Sequence, residues 1–396
     1  MRDTSGDSDT GSGAHGERLW IERIAGGLGL DALGRRLTGR DGLGIYLLVV
    51  AIYVFDSGIL GYLVYQHSGF LWLTENPISA IILPGWLFAV WAARRLKHRY
   101  HTVTDALPTA DEVVAATTMG GGRADRLLRL VGVPYTDDGI DDRAFDRTIP
   151  PRLRTTVFAV ALGYHVAWVG LSLRYAPENW AFMLDTWGEP ITVFRQAVLI
   201  PFAYYLIASE LVSMLLAVHV VLPFEIRASG RIDFEDPHGY AGLRPVGSLV
   251  KSSTLYYVVA LSFFAVFFTF SEGVRDPTIA STMTLIGTGL AIVLFVAPTY
   301  WLHRYMRAAK EAKIEDIAGT VRRIGPDTDD RMFPDTHVES PDHADEYTHE
   351  FIRLQKVEAT SEYPVDIAIL QETVFVLVLP YLAHISSIFV FEHLHL

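Results

Sequence analysis

The chain has 396 residues, no cysteine, a formal net charge of −12 and a composition that is 50% hydrophobic yet 20% charged. Without cysteine there are no disulfides, thiolate metal sites or cysteine nucleophiles. The acidic balance argues against nucleic acid, whose binders present basic surfaces.

Met1 to Gly16 is mostly Gly, Ser, Asp and Thr and is expected to be disordered. It carries no apolar core of a signal peptide. Glu17 to Leu37 scatters Leu19, Trp20, Ile24, Leu28, Leu30, Leu33 and Leu37 among Arg35, Arg36 and nearby Arg40, which predicts a short amphipathic segment at a membrane surface.

Seven apolar runs follow, and they predict an all-α integral membrane fold of about seven transmembrane helices with cytoplasmic helical segments. The runs are Leu43–Gln66, Pro77–Ala93 (interrupted by Pro84), Thr155–Arg174, Ile191–Ile226, Thr254–Ser271, Ile279–His303 and Ala368–Glu392. The fourth is too long for one crossing at about 1.5 Å per residue, so its last turns are expected to leave the bilayer. The corresponding divisions are 1–42 (tail and amphipathic segment), 43–97 (two-span hairpin), 98–153 (cytoplasmic loop), 154–305 (four-span core with a cytoplasmic loop at 227–250), 306–365 (cytoplasmic helical segment) and 366–396 (last span).

Basic residues set the orientation. Arg35, Arg36 and Arg40 precede the first run, Arg94, Arg95, Lys97 and Arg99 follow the second, Arg227 and Arg231 the fourth, and Arg304, Arg307, Lys310 and Lys313 the sixth. The loops at 67–76, 179–189 and 272–277 are poor in Lys and Arg. The N-terminus is therefore expected on the cytoplasmic side of the cell membrane and the C-terminus outside, with the lipid bilayer as the first partner. A homo-oligomer and a cytoplasmic protein partner are both compatible with the chain.

The two larger polar segments fall on the inner side. His101–Pro151 predicts a helix near Ala124–Val131 and an acidic turn at Asp137–Asp142. Beyond the sixth run, Ile314, Ile317, Val321 and Ile324 recur at spacings of three and four, a helix over Met306–Ile324 that Gly325-Pro326 ends. A second helix over Glu346–Thr360 carries Phe351, Leu354 and Val357 on one face. The pair is expected as an antiparallel hairpin or as two separate surface helices.

Ionisable side chains inside a span cost about 2.5–3.5 kcal/mol on insertion scales, so each needs a reason. Asp56, His165, Glu210 and His219 lie within runs one, three and four. They could form an ion path or proton relay, or they could hydrogen-bond the helices together. An unpaired Glu210 would be neutral by desolvation, whereas pairing with His165 or His219 would keep both charged.

Between the fourth and fifth runs lies Asp236-Pro-His-Gly-Tyr-Ala-Gly-Leu-Arg-Pro-Val-Gly247. Its glycines permit close backbone approach and its prolines stiffen both sides. Asp236, His238 and Arg244 could bind a ligand or gate a pathway, with Asp233 and Glu235 as further candidate metal ligands. Their spacing matches no metal motif, so the metal is left open. The alternative is a rigid connector in which Arg244 pairs with Asp236 or Glu235.

Met119-Gly120-Gly121-Gly122-Arg123 lacks the Lys-Ser/Thr of a phosphate-binding loop and reads as a turn. No catalytic motif stands out, and no cofactor is implied. The last run holds no lysine for a retinal Schiff base.

The Asp236–Gly247 segment is similar to a His/Asp-Pro-x-Gly-x-x-Gly-Leu element of prokaryotic multi-pass membrane proteins of unassigned activity. Tyr363-Pro364-Val365-Asp366, leading into the last run, resembles their Trp-Pro-x-Asp, with Tyr in place of Trp. The acidic, arginine-rich style looks haloarchaeal. The resemblance implies a membrane protein and assigns no site. The sequence therefore points first to an ion channel or transporter. The alternative is a membrane-anchored signalling or scaffold protein working through its cytoplasmic helices.

Overall fold

The computed structural model describes residues 18–71, 78–108, 130, 135–136, 139–140, 149–175, 177–270, 277–324, 341–364 and 378–394. The expected disordered tail, nearly all of the helix near Ala124–Val131, the glycine turn at 119–123 and the first part of the last run, 368–377, lie outside them.

The described chain is helical, apart from a two-residue antiparallel ladder of β1 (Tyr135–Thr136) with β2 (Gly139–Ile140). In order come α1 (Trp20–Gly27), α2 (Leu30–Thr38), α3 (Gly44–Ser68), α4 (Ile78–Asp105), α5 (Pro151–Tyr175), α6 (Pro177–Trp187) and α7 (Glu189–Ser229). Then follow α8 (Arg244–Phe270), α9 (Pro277–Ile324), α10 (Pro341–Ala359) and α11 (Leu379–Leu394).

Five helices are long and apolar enough to cross a membrane: α3, α5, α7, Arg244–Phe267 of α8 and Thr284–Arg323 of α9. On that ground the chain is a helical membrane protein. α7 is the central element, with 67% of its apolar window buried against 6% for α5. α5 turns Val160, Tyr164, Val166, Trp168 and Leu171 outward, as a peripheral membrane helix does. α7 packs on α4 and α5, while α8 packs on α4, α9 and α11. The core they share includes Leu96, Tyr100, Met214, Leu222, Leu249 and Leu302.

Several expected boundaries move. The sixth run and the helix expected over Met306–Ile324, the first of the two that make up an arm, are one helix, because no Gly, Pro or capping residue interrupts Leu302–Lys313. Pro298 sits inside it. The stretch expected as the outer loop at 179–189 is largely helical, as α6. The loop placed at 227–250 shrinks to 230–243, because α7 continues to Ser229 and Arg244-Pro245 already begins α8. Gly230, at φ 66°, adopts the left-handed conformation that closes α7.

Arm helix α10 packs on α9, bringing Leu354 and Val357 onto the cluster that holds Ile314, Ile317 and Val321. Lys310 Nζ donates to the carbonyls of Glu358 (2.7 Å) and Thr360 (2.9 Å), so a cation from α9 caps the C-terminal end of α10.

Three stretches wind as π-helix: Val54–Leu60 in α3, and Arg195–Tyr204 and Ala217–Val221 in α7. Such segments are rare and occur often at functional sites.

Candidate functional site

Each carboxylate singled out in the spans meets an arginine that the sequence reading had passed over. Asp56, 4% exposed, lies in the π-helical part of α3. Arg195 of α7 approaches it with Nε at 2.8 Å and Nη2 at 3.0 Å, and the Tyr204 hydroxyl donates to the same carboxylate. The guanidinium also lies over the Trp187 ring, 4.7 Å from its centroid. Arg195 and Tyr204 are nine residues apart, which is two and a half turns of α-helix and would set them on opposite faces. Winding as π-helix makes the same nine residues about two turns, so both reach one acceptor.

Glu210, 2% exposed, binds Arg154 at the start of α5, with Nη2–Oε2 at 2.9 Å and Nε–Oε2 at 3.3 Å. Its other oxygen accepts the backbone N–H of Trp20 at 2.6 Å. Arg154 reaches the Arg18 carbonyl (3.4 Å) and lies over the Trp20 ring, 5.1 Å from its centroid. The Glu210–Arg154 pair thus joins α7, α5 and the N-terminal helix α1. Neither histidine is the partner of Glu210.

His165 Nε2 lies 2.7 Å from the Gln196 carbonyl, and its ring stands edge-on to Tyr205 at 5.2 Å. His219, 1% exposed, sits in the Ala217–Val221 π segment beside the Leu294 backbone. Arg195 and Glu210 are separated along α7 by roughly 20 Å at α-helical rise. Asp56 and Glu210 therefore belong to two separate ion-paired clusters.

A further buried carboxylate had been overlooked. Glu225, 1% exposed near the end of α7, accepts the Tyr100 hydroxyl at 2.9 Å. Its position inside the fourth apolar run was the available signal.

The loop after α7 is ordered by its own acids. Asp236 accepts the backbone N–H groups of His238 and Gly242, both at 3.0 Å, and Asp233 accepts that of Glu235 at 2.8 Å. Ala241, buried, holds φ 52°, a left-handed conformation that costs a non-glycine residue about 1–2 kcal/mol. The surrounding hydrogen bonds keep it there. Glu235 pairs with Arg353 of α10 (3.1 Å), and the Ser361 N–H donates to the Gly239 carbonyl (2.8 Å). Arg244 lies over the Tyr240 ring, 5.8 Å from its centroid, in place of the expected pairing with Asp236 or Glu235. Beyond the loop, His303 stacks on Tyr363 at 4.1 Å and its Nδ1 contacts the Glu362 carbonyl at 2.9 Å. The arm is thereby bonded to both the loop and α9.

Asp233, Asp236, His238, Arg244 and Ser248 line a cleft of about 570 Å³ together with Ala106 and Pro108. Asp236 is spent on backbone amides, whereas the exposed His238 and Arg244 are the side chains a ligand would meet. Among the described residues no group of three or more His, Asp or Glu side chains could hold a metal ion.

Partial burial acts to raise the Asp236 pKa, but the amides of His238, Gly242 and Tyr240 outweigh it and hold the carboxyl below its ordinary value of 3.8. A depressed carboxyl stabilises the fold above its unfolded pKa and loses that contribution as pH falls through the folded one. The protection of the His238 and Gly242 amides, taken relative to their intrinsic exchange rates, should therefore hold from neutral pH into the mildly acidic range and be lost only as Asp236 becomes protonated, below its ordinary value. Asp236→Ala should speed exchange about fivefold at neutral pH, from the roughly 1 kcal/mol of a capping side chain. Unchanged exchange in that variant would remove Asp236 as the organiser of the loop.

Compared with known proteins, the chain matches no family model, no curated protein and no solved structure at a significant level.

Proposed function

We propose that this membrane protein moves a small ion across the cell membrane, as a channel or transporter, along a path through α7. The observation that carries the reading is the pair of buried arginine–carboxylate clusters on that one helix, Asp56–Arg195 and Glu210–Arg154. The first lies wholly within π-helical segments of α3 and α7, which wind irregularly and can change register. Ion-paired groups inside spans mark ion pathways and proton relays. A proton or cation arriving at Glu210 would compete with Arg154 for the carboxylate, and releasing the arginine would loosen α5 and α1 from α7.

In this reading the chain crosses seven times, with α4 and the 366–396 segment as spans two and seven. The N-terminus, the Asp236–Gly247 loop and the arm are cytoplasmic, and the host has an acidic, saline cytoplasm. The Arg94–Arg99 cluster, in α4 just past its apolar stretch, supports that orientation.

Flux of protons, sodium, potassium and chloride in proteoliposomes tests the reading, with wild type beside Glu210→Gln and Asp56→Asn. Flux of one ion is expected, reduced at least tenfold in both variants while they remain folded. Undiminished flux in both would remove these clusters from the path. No flux of any ion in folded wild type would favour the second reading, a membrane-anchored signalling or scaffold protein. Its support is the bonding of α10 to the loop through Arg353–Glu235 and Ser361–Gly239.

A further inference from the structure

The N-terminal helix pair carries a face that the bundle leaves uncovered. Ile21 and Ala25 of α1 and Gly34 of α2 are buried, while Ile24, Leu28, Leu33 and Leu37 are 41%, 65%, 45% and 66% exposed. Leu33 and Leu37 are four residues apart and stand on one side of α2, and Leu28, the C-cap of α1, follows Ile24 at the same spacing.

The charge around this stripe is opposite to that of the chain. Between Arg18 and Asp41 there are five arginines and three carboxylates, in a chain of net charge −12. Two of those carboxylates are engaged: Glu22 by Arg94 and Lys97, each at 3.1 Å, and Asp41 by Arg35 at 3.1 Å. Arg36 and Arg40 are exposed at the end of α2. An apolar stripe edged by arginine is the pattern of a helix lying in the interface of a membrane with anionic headgroups.

The pair is also fixed in its setting. The Trp20 N–H to Glu210, the Arg154 guanidinium on the Arg18 carbonyl and the edge-on Trp20–Phe158 contact (5.8 Å) tie α1 to α7 and α5. Residues 1–17 hold only Met1 and Ala14 as apolar residues. What covers them must bring apolar substance and negative charge together.

We propose that α1–α2 is a docking surface for an acidic lipid leaflet, with Ile24, Leu28, Leu33 and Leu37 in the acyl region and Arg36 and Arg40 on the headgroups. The proposal rests on the chain being a membrane protein and not on its moving an ion. A molecule that carries no flux can still meet it, so the two fail separately.

Because the chain has no cysteine, Leu37→Cys gives a single attachment point for a nitroxide, and Leu33→Cys is a second should the first misfold. The full-length labelled protein is reconstituted in vesicles of phosphatidylcholine alone and in vesicles with about one third phosphatidylglycerol. Collision with lipid-soluble oxygen and with a water-soluble nickel chelate reads the depth of the label. The expected result is a label in the acyl region that is more populated in acidic vesicles. Arg36→Gln and Arg40→Gln should each reduce that preference on the order of fivefold. A label that stays in water in both vesicles, or the same depth in both, would overturn the proposal. Dipolar broadening between labels on two molecules would give the face to a second copy and would overturn it as well.

Discussion

Glu210→Ala should destabilise the protein by about 3–5 kcal/mol, the cost of leaving one member of a buried ion pair behind. Arg154 is 1% exposed and, with its carboxylate gone, would keep only the Arg18 carbonyl and the Trp20 ring among the contacts described above. Trp20 would lose the acceptor of its N–H. The damage should therefore appear first as release of α1, seen as protease access near Arg18 before the bundle unfolds. The pairing itself contributes less than its rupture costs, because both ions had to be desolvated. The double variant Glu210→Leu with Arg154→Met should accordingly recover most of the loss. Denaturant unfolding of the wild type, Glu210→Leu, Arg154→Met and the double variant in detergent micelles measures the cycle. A double variant as unstable as the sum of the singles would mean that the two side chains act independently.

The second large effect falls on Asp56. Asp56→Ala should cost a similar 3–5 kcal/mol, since Arg195 is 7% exposed and would be left charged against Trp187. Tyr204→Phe removes only one hydrogen bond to the same carboxylate and should cost about 1.5–3 kcal/mol. The order of these two values discriminates the proposed centre from a mere packing site. If Tyr204→Phe were the costlier change, the ion pair would not be what holds α3 to α7. The two clusters lie roughly 20 Å apart along α7, so the losses from Glu210→Ala and Asp56→Ala should add to within about 0.5 kcal/mol.

These partners mark where the sequence stopped being legible. Runs of apolar residues are a one-dimensional signal, so the helical membrane character and the place of α7 could be read directly. Asp56 and Glu210 stood out because a charge in such a run is conspicuous. Arg154 did not, because it falls among the flanking residues where basic charge is ordinary. Arg195 sits just inside the fourth run, after Gly188-Glu189-Pro190, and reads as part of the opening turn. Its meeting with Tyr204 was hidden for a deeper reason. A period of 3.6 sends residues nine apart to opposite faces, and nothing in Arg195–Tyr204 announces a change of winding except Pro201, which removes one backbone donor.

The loop followed the same rule. Asp236, His238 and Arg244 were visible as a group, but their directions were not. Asp236 turned inward to backbone amides, and Glu235 turned outward to an arm helix more than a hundred residues away. The apolar periodicity of the arm helices was legible, whereas their bonding to Gly239 and Glu235 depended on contacts distant in sequence.

In the proposed transport path, a buried carboxylate on α7 leaves its arginine when an ion passes. Infrared difference spectroscopy on proteoliposomes, recorded as an ion gradient is imposed, reads this directly through the carboxyl and guanidinium bands. A carboxyl signal that appears with the gradient, disappears in Glu210→Gln and is accompanied by a shift of the arginine band is the predicted result. Flux that proceeds with both sets of bands unchanged would mean that the ion pairs stay closed and that the path lies elsewhere.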